Sequence, residues 1–283
     1  VFNILENKTV AFLGAGSMAE SMIAGTIKAN KIPAECIYVT NKFNGDRLTE
    51  LQERYQVKTV LQKDLPFEEI DYFIMAMKPH GAEEALAFLK DKIKREQVVI
   101  SVLAGISTDY MEAGLNEYQP VIRVMPNTSS MIQESATALA VGNFTEDVHL
   151  QDVKEILSCM GKVFVINEEQ MDIFTGLAGS GPAYFYYLME QMEKVGIEKG
   201  LDADAARKIV AQTIYGAAKM VLDKEEAPMI LRERVTSPNG TTASGVQALQ
   251  ENNGGRAISQ AVQQAAARSK EIRRELEGTL VPH

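Results

Sequence analysis

The chain has 283 residues, 46% of them hydrophobic, with 29 lysines and arginines against 38 aspartates and glutamates, a net charge of −9. That length suits one large domain or two ordinary ones, and the acidic balance argues against nucleic acid, whose phosphate backbone selects cationic surfaces. No apolar run reaches the roughly 18 residues of a membrane span, no secretory signal is visible, and Cys36, Cys159 and three scattered histidines lack metal-ligand spacing, so the expectation is a cytoplasmic protein with reduced thiols and no metal site.

The first expected strand, 9–13, runs into Gly14-Ala15-Gly16-Ser17-Met18-Ala19, and a helix with Met22, Ile23 and Ile27 at helical spacing follows over 18–28. In a dinucleotide-binding unit the first glycine permits the tight turn, the second lets backbone approach the pyrophosphate, and a third small residue lets helix pack on strand. Gly14, Gly16 and Ala19 stand at those places, and the phosphates would sit on N–H groups at the helix start. A purely structural turn is the competing reading.

The second strand, 36–40, ends in Thr40-Asn41-Lys42. An NAD-specific site usually has a carboxylate there, whereas hydroxyl, amide and ammonium donors suit a 2′-phosphate. NADPH is therefore the expected cofactor, with NADH as the other option, and Lys42, or Arg47 in its place, would supply the charge. Further strands are expected at 57–60, 71–76, 97–102, 121–125, 136–141 and 162–166. Met77-Lys78-Pro79 follows the fourth and would face the cofactor crevice, with Pro79 stopping strand pairing. Ala104-Gly105 and Met125-Pro126-Asn127 lie where the nicotinamide would. This alternation of short strands and helices predicts an α/β, Rossmann-type doubly wound, mostly parallel sheet, here over 1–167.

After residue 168 no strand is expected. Thr175-Gly-Leu-Ala-Gly-Ser-Gly-Pro182 leads into a helix with Phe185, Leu188, Met189, Met192 and Val195 at helical spacing, and further helices are expected at 203–222, from about Thr242, and at 256–276. Large apolar residues are too sparse for this half to be self-sufficient, which predicts an all-helical domain over 168–276 that forms a homodimer; packing within one chain is the alternative. Ser237-Pro238-Asn239-Gly240-Thr241-Thr242 presents hydroxyls and a helix start, which bind a small carboxylate without lysine or arginine; an N-capped turn explains the same residues. The segment 277–283 reads as a tail or expression scar.

Leu177-Ala-Gly-Ser-Gly-Pro-Ala-Tyr184, Met77-Lys78-Pro79, Arg123-Val-Met-Pro-Asn-Thr128 and Ser237-Pro-Asn-Gly-Thr-Thr242 together resemble Δ1-pyrroline-5-carboxylate reductase, across nearly the whole chain. The resemblance implies a Rossmann domain, a helical dimerisation domain, NAD(P)H-dependent reduction of the cyclic imine to L-proline as the last step of proline biosynthesis, and assembly of dimers into rings. It implies that Gly14, Ala15, Gly16, Ser17 and Met18 wrap the pyrophosphate, with Met77, Lys78 and Ala104 near the cofactor. Ser237, Gly240, Thr241 and Thr242 would hold the substrate carboxylate, with the Thr242 hydroxyl beside the ring nitrogen and Glu225 near the substrate. Three positions depart from the family: Asn239 stands where glycine is common, Ser129 replaces a proline, and Lys63 replaces an asparagine at the adenosine end.

A protonated cyclic imine is already electrophilic, so its reduction requires no protein acid, which accounts for the lack of a histidine, cysteine or acidic dyad at either loop. Two other readings fit a nucleotide-binding sheet followed by helices. A β-hydroxyacid dehydrogenase would carry a lysine on the helix after the 175–182 segment, and 182–193 has none. A non-catalytic NADP-binding sensor would bind cofactor without turnover.

Overall fold

The computed structural model describes residues 5–42 and 44–280. Among them the chain forms two compact units, one of the chain up to Gly179 together with the segment from Ala265 on, the other Ser180–Gln264.

The first unit is built on one sheet of β1 (Val10–Leu13), β2 (Ile37–Thr40), β3 (Lys58–Thr59), β4 (Tyr72–Met75), β5 (Val98–Ser101), β6 (Val121–Met125), β7 (Ser135–Val141) and β8 (Gly161–Val165), with α1 (Ser17–Lys28), α2 (Gly45–Tyr55), α3 (Ala82–Leu89), α4 (Thr108–Gly114), α5 (Asp147–Leu157) and α6 (Met171–Phe174) along it. The order is β3-β2-β1-β4-β5-β6-β7-β8, parallel except where β6 meets β7. All eight strands fall within a residue or two of the expected positions. Their side chains alternate between two cores. Val10 and Phe12 of β1 join Met22 and Ile23 of α1 in one, while Ala11 and Leu13 join Leu86 and Leu89 of α3 in the other. Burial on both faces explains why β1, β2, β4 and β5 read as unbroken apolar runs.

Helix ends follow local chemistry. Asn44 caps α2 by accepting from the Arg47 N–H at 3.0 Å, and Gln56, at φ +57°, closes it. Ser107 caps α4 in the same way through the Tyr110 N–H.

The second unit contains α7 (Gly181–Glu198), α8 (Ala203–Lys224), α9 (Pro228–Arg234), α10 (Thr241–Glu251) and the start of α11 (Gly254–Leu280). Only Ala206 and Val210 are buried hydrophobic side chains among the residues from Ser180 to Gln264. Phe185, Leu188, Met192 and Val195, the apolar stripe of α7, are exposed. The stripe is helical as expected, but no described residue covers it.

The compact units divide the chain elsewhere than the sequence pattern does, because 168–179 and the later part of α11 pack with the sheet. Residues 277–280, expected to be tail, are helical; residues 281–283 lie outside the described residues. Glu277 accepts the Ser107 N–H at 3.1 Å. Asp172 of α6 accepts from Ser269 Oγ at 2.8 Å and Arg273 Nη2 at 3.0 Å. Arg123, 1% exposed on β6, is paired with Glu168. The Glu277 and Asp172 contacts hold α11 where it returns to the sheet unit.

Gly105 is what allows that return. It sits at φ +77°, and a Cβ there would lie 2.8 Å from Leu276 Cδ1 and 3.5 Å from the Arg273 Cα. Gly105→Ala is expected to cost about 1–3 kcal/mol in urea denaturation, from the positive φ and the overpacking together. Leu276→Ala removes the second cause, so the double variant should lose less than the sum of the single ones; strict additivity would show that α11 does not press on this turn.

Candidate functional site

In the sheet unit the carboxyl ends of β1, β2, β4 and β5 are neighbours, and the chain order reverses between β1 and β4, where open α/β sheets bind ligands. Gly14 ties three of these ends together. Its N–H donates to the Thr40 carbonyl at 2.9 Å, its φ is +115°, and a Cβ would fall 2.6 Å from the Ala76 carbonyl oxygen and 2.8 Å from the Met77 nitrogen. No side chain fits against backbone at that distance. Ala15 is buried, Gly16 and Ser17 are exposed, and Ala19 is fully buried where helix and strand must approach.

Gly16 is the N-cap of α1, extended at ψ −179°, and no side chain caps the helix. The first intrahelical bond runs from the Glu20 N–H to the Gly16 carbonyl at 3.0 Å, which leaves the N–H groups of Ser17, Met18 and Ala19 for an anion. At the end of β2, Thr40 is 3% exposed and its Oγ1 is buried without a hydrogen-bond partner. A close backbone cradle, an uncapped helix start and an orphaned hydroxyl on adjacent strands fit the pyrophosphate and ribose of a dinucleotide.

The remaining expected cofactor residues lie on the same edge. Asn41 is half-buried and Lys42 exposed, its ammonium paired with Glu84 of α3. Met77 is half-buried, Lys78 exposed, and Pro79 opens one turn of 3-10 helix. Ala104 is exposed in the turn after β5. Asn127, which the sequence offered as an amide for the nicotinamide, is spent on the fold: Oδ1 accepts from the Ser129 N–H at 3.1 Å and Nδ2 donates to the Ala178 carbonyl at 3.0 Å. Asn127 thereby pins the π-helical turn Thr175–Gly179.

Arg47 is also committed. Its Nε donates to the Ala15 carbonyl at 3.0 Å, Nη1 to Glu50 at 2.6 Å, and Nη2 to Glu20. Glu20 further accepts from Arg54 and Tyr55, each at 2.9 Å. Burial raises the Glu20 carboxyl's pKa, but hydrogen bonds from Arg47 and Tyr55 and the charges of Arg47 and Arg54 outweigh it and hold it below the ordinary 4.5. Glu20 is therefore ionised at neutral pH, and Arg47 braces the glycine loop through Ala15. Sequence reasoning missed this cluster because nothing in the spacing of Glu20, Arg47, Arg54 and Tyr55 marks a shared site.

In the helical unit the second loop stands between α9 and α10. The Gly240 N–H donates to the Ser237 carbonyl at 3.0 Å, closing a turn in which Asn239 takes φ +59°. Asparagine tolerates this left-handed conformation, so the departure from glycine keeps the turn. A Cβ on Gly240 would meet Ser237 Oγ at 2.6 Å.

Gly240 is the N-cap of α10, extended at ψ 168°, with no side-chain cap and no acidic residue in the first turn. The alternative explanation of this loop, a helix end capped by Ser or Thr hydroxyls, is thus not met. Ser237, Thr241 and Thr242 are exposed, and their hydroxyls face no competing cap. Glu225 ends α8 at φ +53°, exposed, while its neighbour Glu226 takes Arg234.

Residues 168–272 match the pyrroline-5-carboxylate reductase dimerisation model, and residues 9–105 match that of the NADP oxidoreductase, coenzyme F420-dependent, family. The chain is 56% identical over 279 residues to pyrroline-5-carboxylate reductase 1 of Bacillus subtilis (strain 168), a match covering 99% of this chain and 94% of the relative. Among solved structures it is similar to a pyrroline-5-carboxylate reductase from Coxiella burnetii, with TM-score 0.87 and 30% identity over 94% of this chain and 99% of that one. It also superposes on the Plasmodium falciparum pyrroline carboxylate reductase solved with NADP bound, with TM-score 0.83 and 26% identity over 95% and 99% of the two chains. With a relative this similar along almost its full length, and the dimerisation model matched over 168–272, the chain belongs to the pyrroline-5-carboxylate reductase family.

Proposed function

We propose that the chain reduces Δ1-pyrroline-5-carboxylate to L-proline in the cytoplasm, with NADPH as cofactor and NADH as the second choice. The observation that carries this reading is the start of α10, where backbone N–H groups and the Ser237, Thr241 and Thr242 hydroxyls stand uncommitted beside a rigid turn. The two free cysteines fit a reducing compartment.

Gly14 to Met18, Thr40, Asn41, Lys42, Met77, Lys78, Pro79 and Ala104 would hold the reduced nicotinamide cofactor, which when bound would supply the hydride for the imine carbon. The chain's own work is to position and to neutralise. Ser237, Gly240, Thr241 and Thr242 hold the substrate carboxylate by charge-assisted hydrogen bonds, each worth about 1.5–3 kcal/mol. Glu225 stands near the substrate in this reading.

Thr242 acts at the ring nitrogen. A hydroxyl both accepts and donates, so Oγ1 can accept from the N–H of the protonated imine and donate to the lone pair that appears on nitrogen as the neutral amine forms. The proton on nitrogen arrives with the substrate, so no side chain has to release one. Orientation of the imine carbon is the main catalytic task, and alignment of this kind supplies several kcal/mol.

The exposed apolar side chains of α7 and the nearly empty core of the helical unit support a homodimer formed through that unit, within the segment matched by the dimerisation model. A ring of such dimers is the larger assembly proposed.

Thr242→Ala should lower kcat/KM for pyrroline-5-carboxylate about 10- to 100-fold, equivalent to about 1.4–2.7 kcal/mol of transition-state binding. Reduced-nicotinamide absorbance, with proline confirmed as product, measures it; unaltered kinetics would remove Thr242 from the mechanism. Light scattering on the eluting peak should give at least twice the 31.2 kDa chain mass, with a whole-number multiple of the dimer for a ring. A monomer at micromolar concentration would overturn the assembly.

A further inference from the structure

We infer that Glu84 sets the preference between NADPH and NADH, by competing with the 2′-phosphate for Lys42. The inference rests on the cofactor reading above and adds a residue to it.

The loop after β2 and the start of α2 bring two cations to the ribose end, Lys42 and Arg47. Arg47 is closed to a phosphate. Its guanidinium, 20% exposed, is divided among the Ala15 carbonyl, Glu50 and Glu20, and releasing it would strip the glycine loop of its brace. Two carboxylates already balance its charge.

Lys42 is different. It is 47% exposed, and the carboxylate it pairs with, Glu84, is 67% exposed. Glu84 lies in the first turn of α3, which follows β4, while Lys42 follows β2. The pair therefore bridges from one side of β1 to the other, over the edge where Gly14 joins those strands.

An ion pair this exposed is weak because water screens it, so a phosphate carrying nearly two charges can displace it. The displaced or retained carboxylate still costs NADPH binding, since it lies within reach of the ammonium the phosphate needs. Lys42 and Glu84 cancel, and Arg47 is cancelled separately, so the loop after β2 and the start of α2 have little net charge with which to favour a 2′-phosphate over a 2′-hydroxyl. Thr40 Oγ1, the buried orphan, can bond either group and does not discriminate. Discrimination falls to the Lys42–Glu84 balance.

Glu84→Gln keeps the size and removes the charge. Titrating the purified enzyme with NADPH and with NADH, followed by the fluorescence of the reduced nicotinamide, should show the ratio of Kd values moving about 3- to 10-fold toward NADPH. Lys42→Met should move it the opposite way, and adding Glu84→Gln to Lys42→Met should give no further shift. The Glu84→Gln effect should also shrink between 50 and about 500 mM salt, as screening requires.

An equal shift of both Kd values in Glu84→Gln, or a Glu84→Gln effect that survives in the Lys42→Met background, would overturn the inference. If the unaltered enzyme binds neither cofactor, the function reading falls and takes this one with it. If it turns over pyrroline-5-carboxylate but Glu84→Gln leaves the Kd ratio flat, only this inference falls.

Discussion

The contact of Gly14 with the end of β4 is the constraint on which the site depends. With the Ala76 carbonyl oxygen 2.6 Å from where a Cβ would be, and φ at +115°, only glycine lets β1 turn directly across its neighbour. The turn leads directly into α1, whose first N–H groups take no side-chain cap, and the Gly14 N–H on the Thr40 carbonyl sets the height of the β2 end beside it. Arg47 then fixes the loop from the other side through the Ala15 carbonyl. Three strand ends, a helix start and the loop after β2 thus share one rigid reference, as the proposed cofactor site requires when misplacement of about 1 Å is costly to the reaction.

A second constraint acts where the chain returns from the helical unit. Residues from Ala265 belong with the sheet, held by Asp172, Arg273, Ser269 and Glu277. Deeper in the same unit, Arg123 has its Nε buried without a partner and relies on Glu168 for its charge. Burying a cation stabilises little in net terms, but removing its partner leaves an uncompensated charge. Such a network specifies a position more than it adds stability. It secures 168–174, which leads into the glycine-rich turn that Asn127 pins from β6.

The sheet was legible because short unbroken apolar runs, glycine turns and strand-ending prolines are local signals. All eight strands, both glycine-rich loops and the principal helices of the second half follow from them. Periodicity says which side of a helix is apolar, not what covers it. The α7 stripe of Phe185, Leu188, Met192 and Val195 reads the same whether its cover is the same chain or a second copy, and in the single chain it stays exposed. Short α9 was missed because Glu225 to Val235 offers neither a clear apolar period nor a strong cap. The tail was misjudged at residues 277–280, since the contact of Glu277 with Ser107 spans 170 positions. Pairs such as Lys42 with Glu84 and Arg123 with Glu168 are likewise long-range and leave no local trace.

The two ligand loops share one device. Gly16 and Gly240 are both N-caps with extended backbone and no side-chain hydrogen bond to the helix they begin. Asn44, Ser107 and Asp202, by contrast, cap α2, α4 and α8 with their own oxygens. Glycine at an N-cap costs only a few tenths of a kcal/mol relative to Ser or Asn, and it leaves the first-turn N–H groups to an outside anion. In the function proposed, this is how a chain of net charge −9 would bind a pyrophosphate and a carboxylate without a cluster of basic residues at either loop. Fixed backbone dipoles do the neutralising, and they do not titrate. The charged side chains near the first loop serve other ends: Arg47 braces the loop through the Ala15 carbonyl, and in the inference drawn above Lys42 with Glu84 is the adjustable element at the ribose.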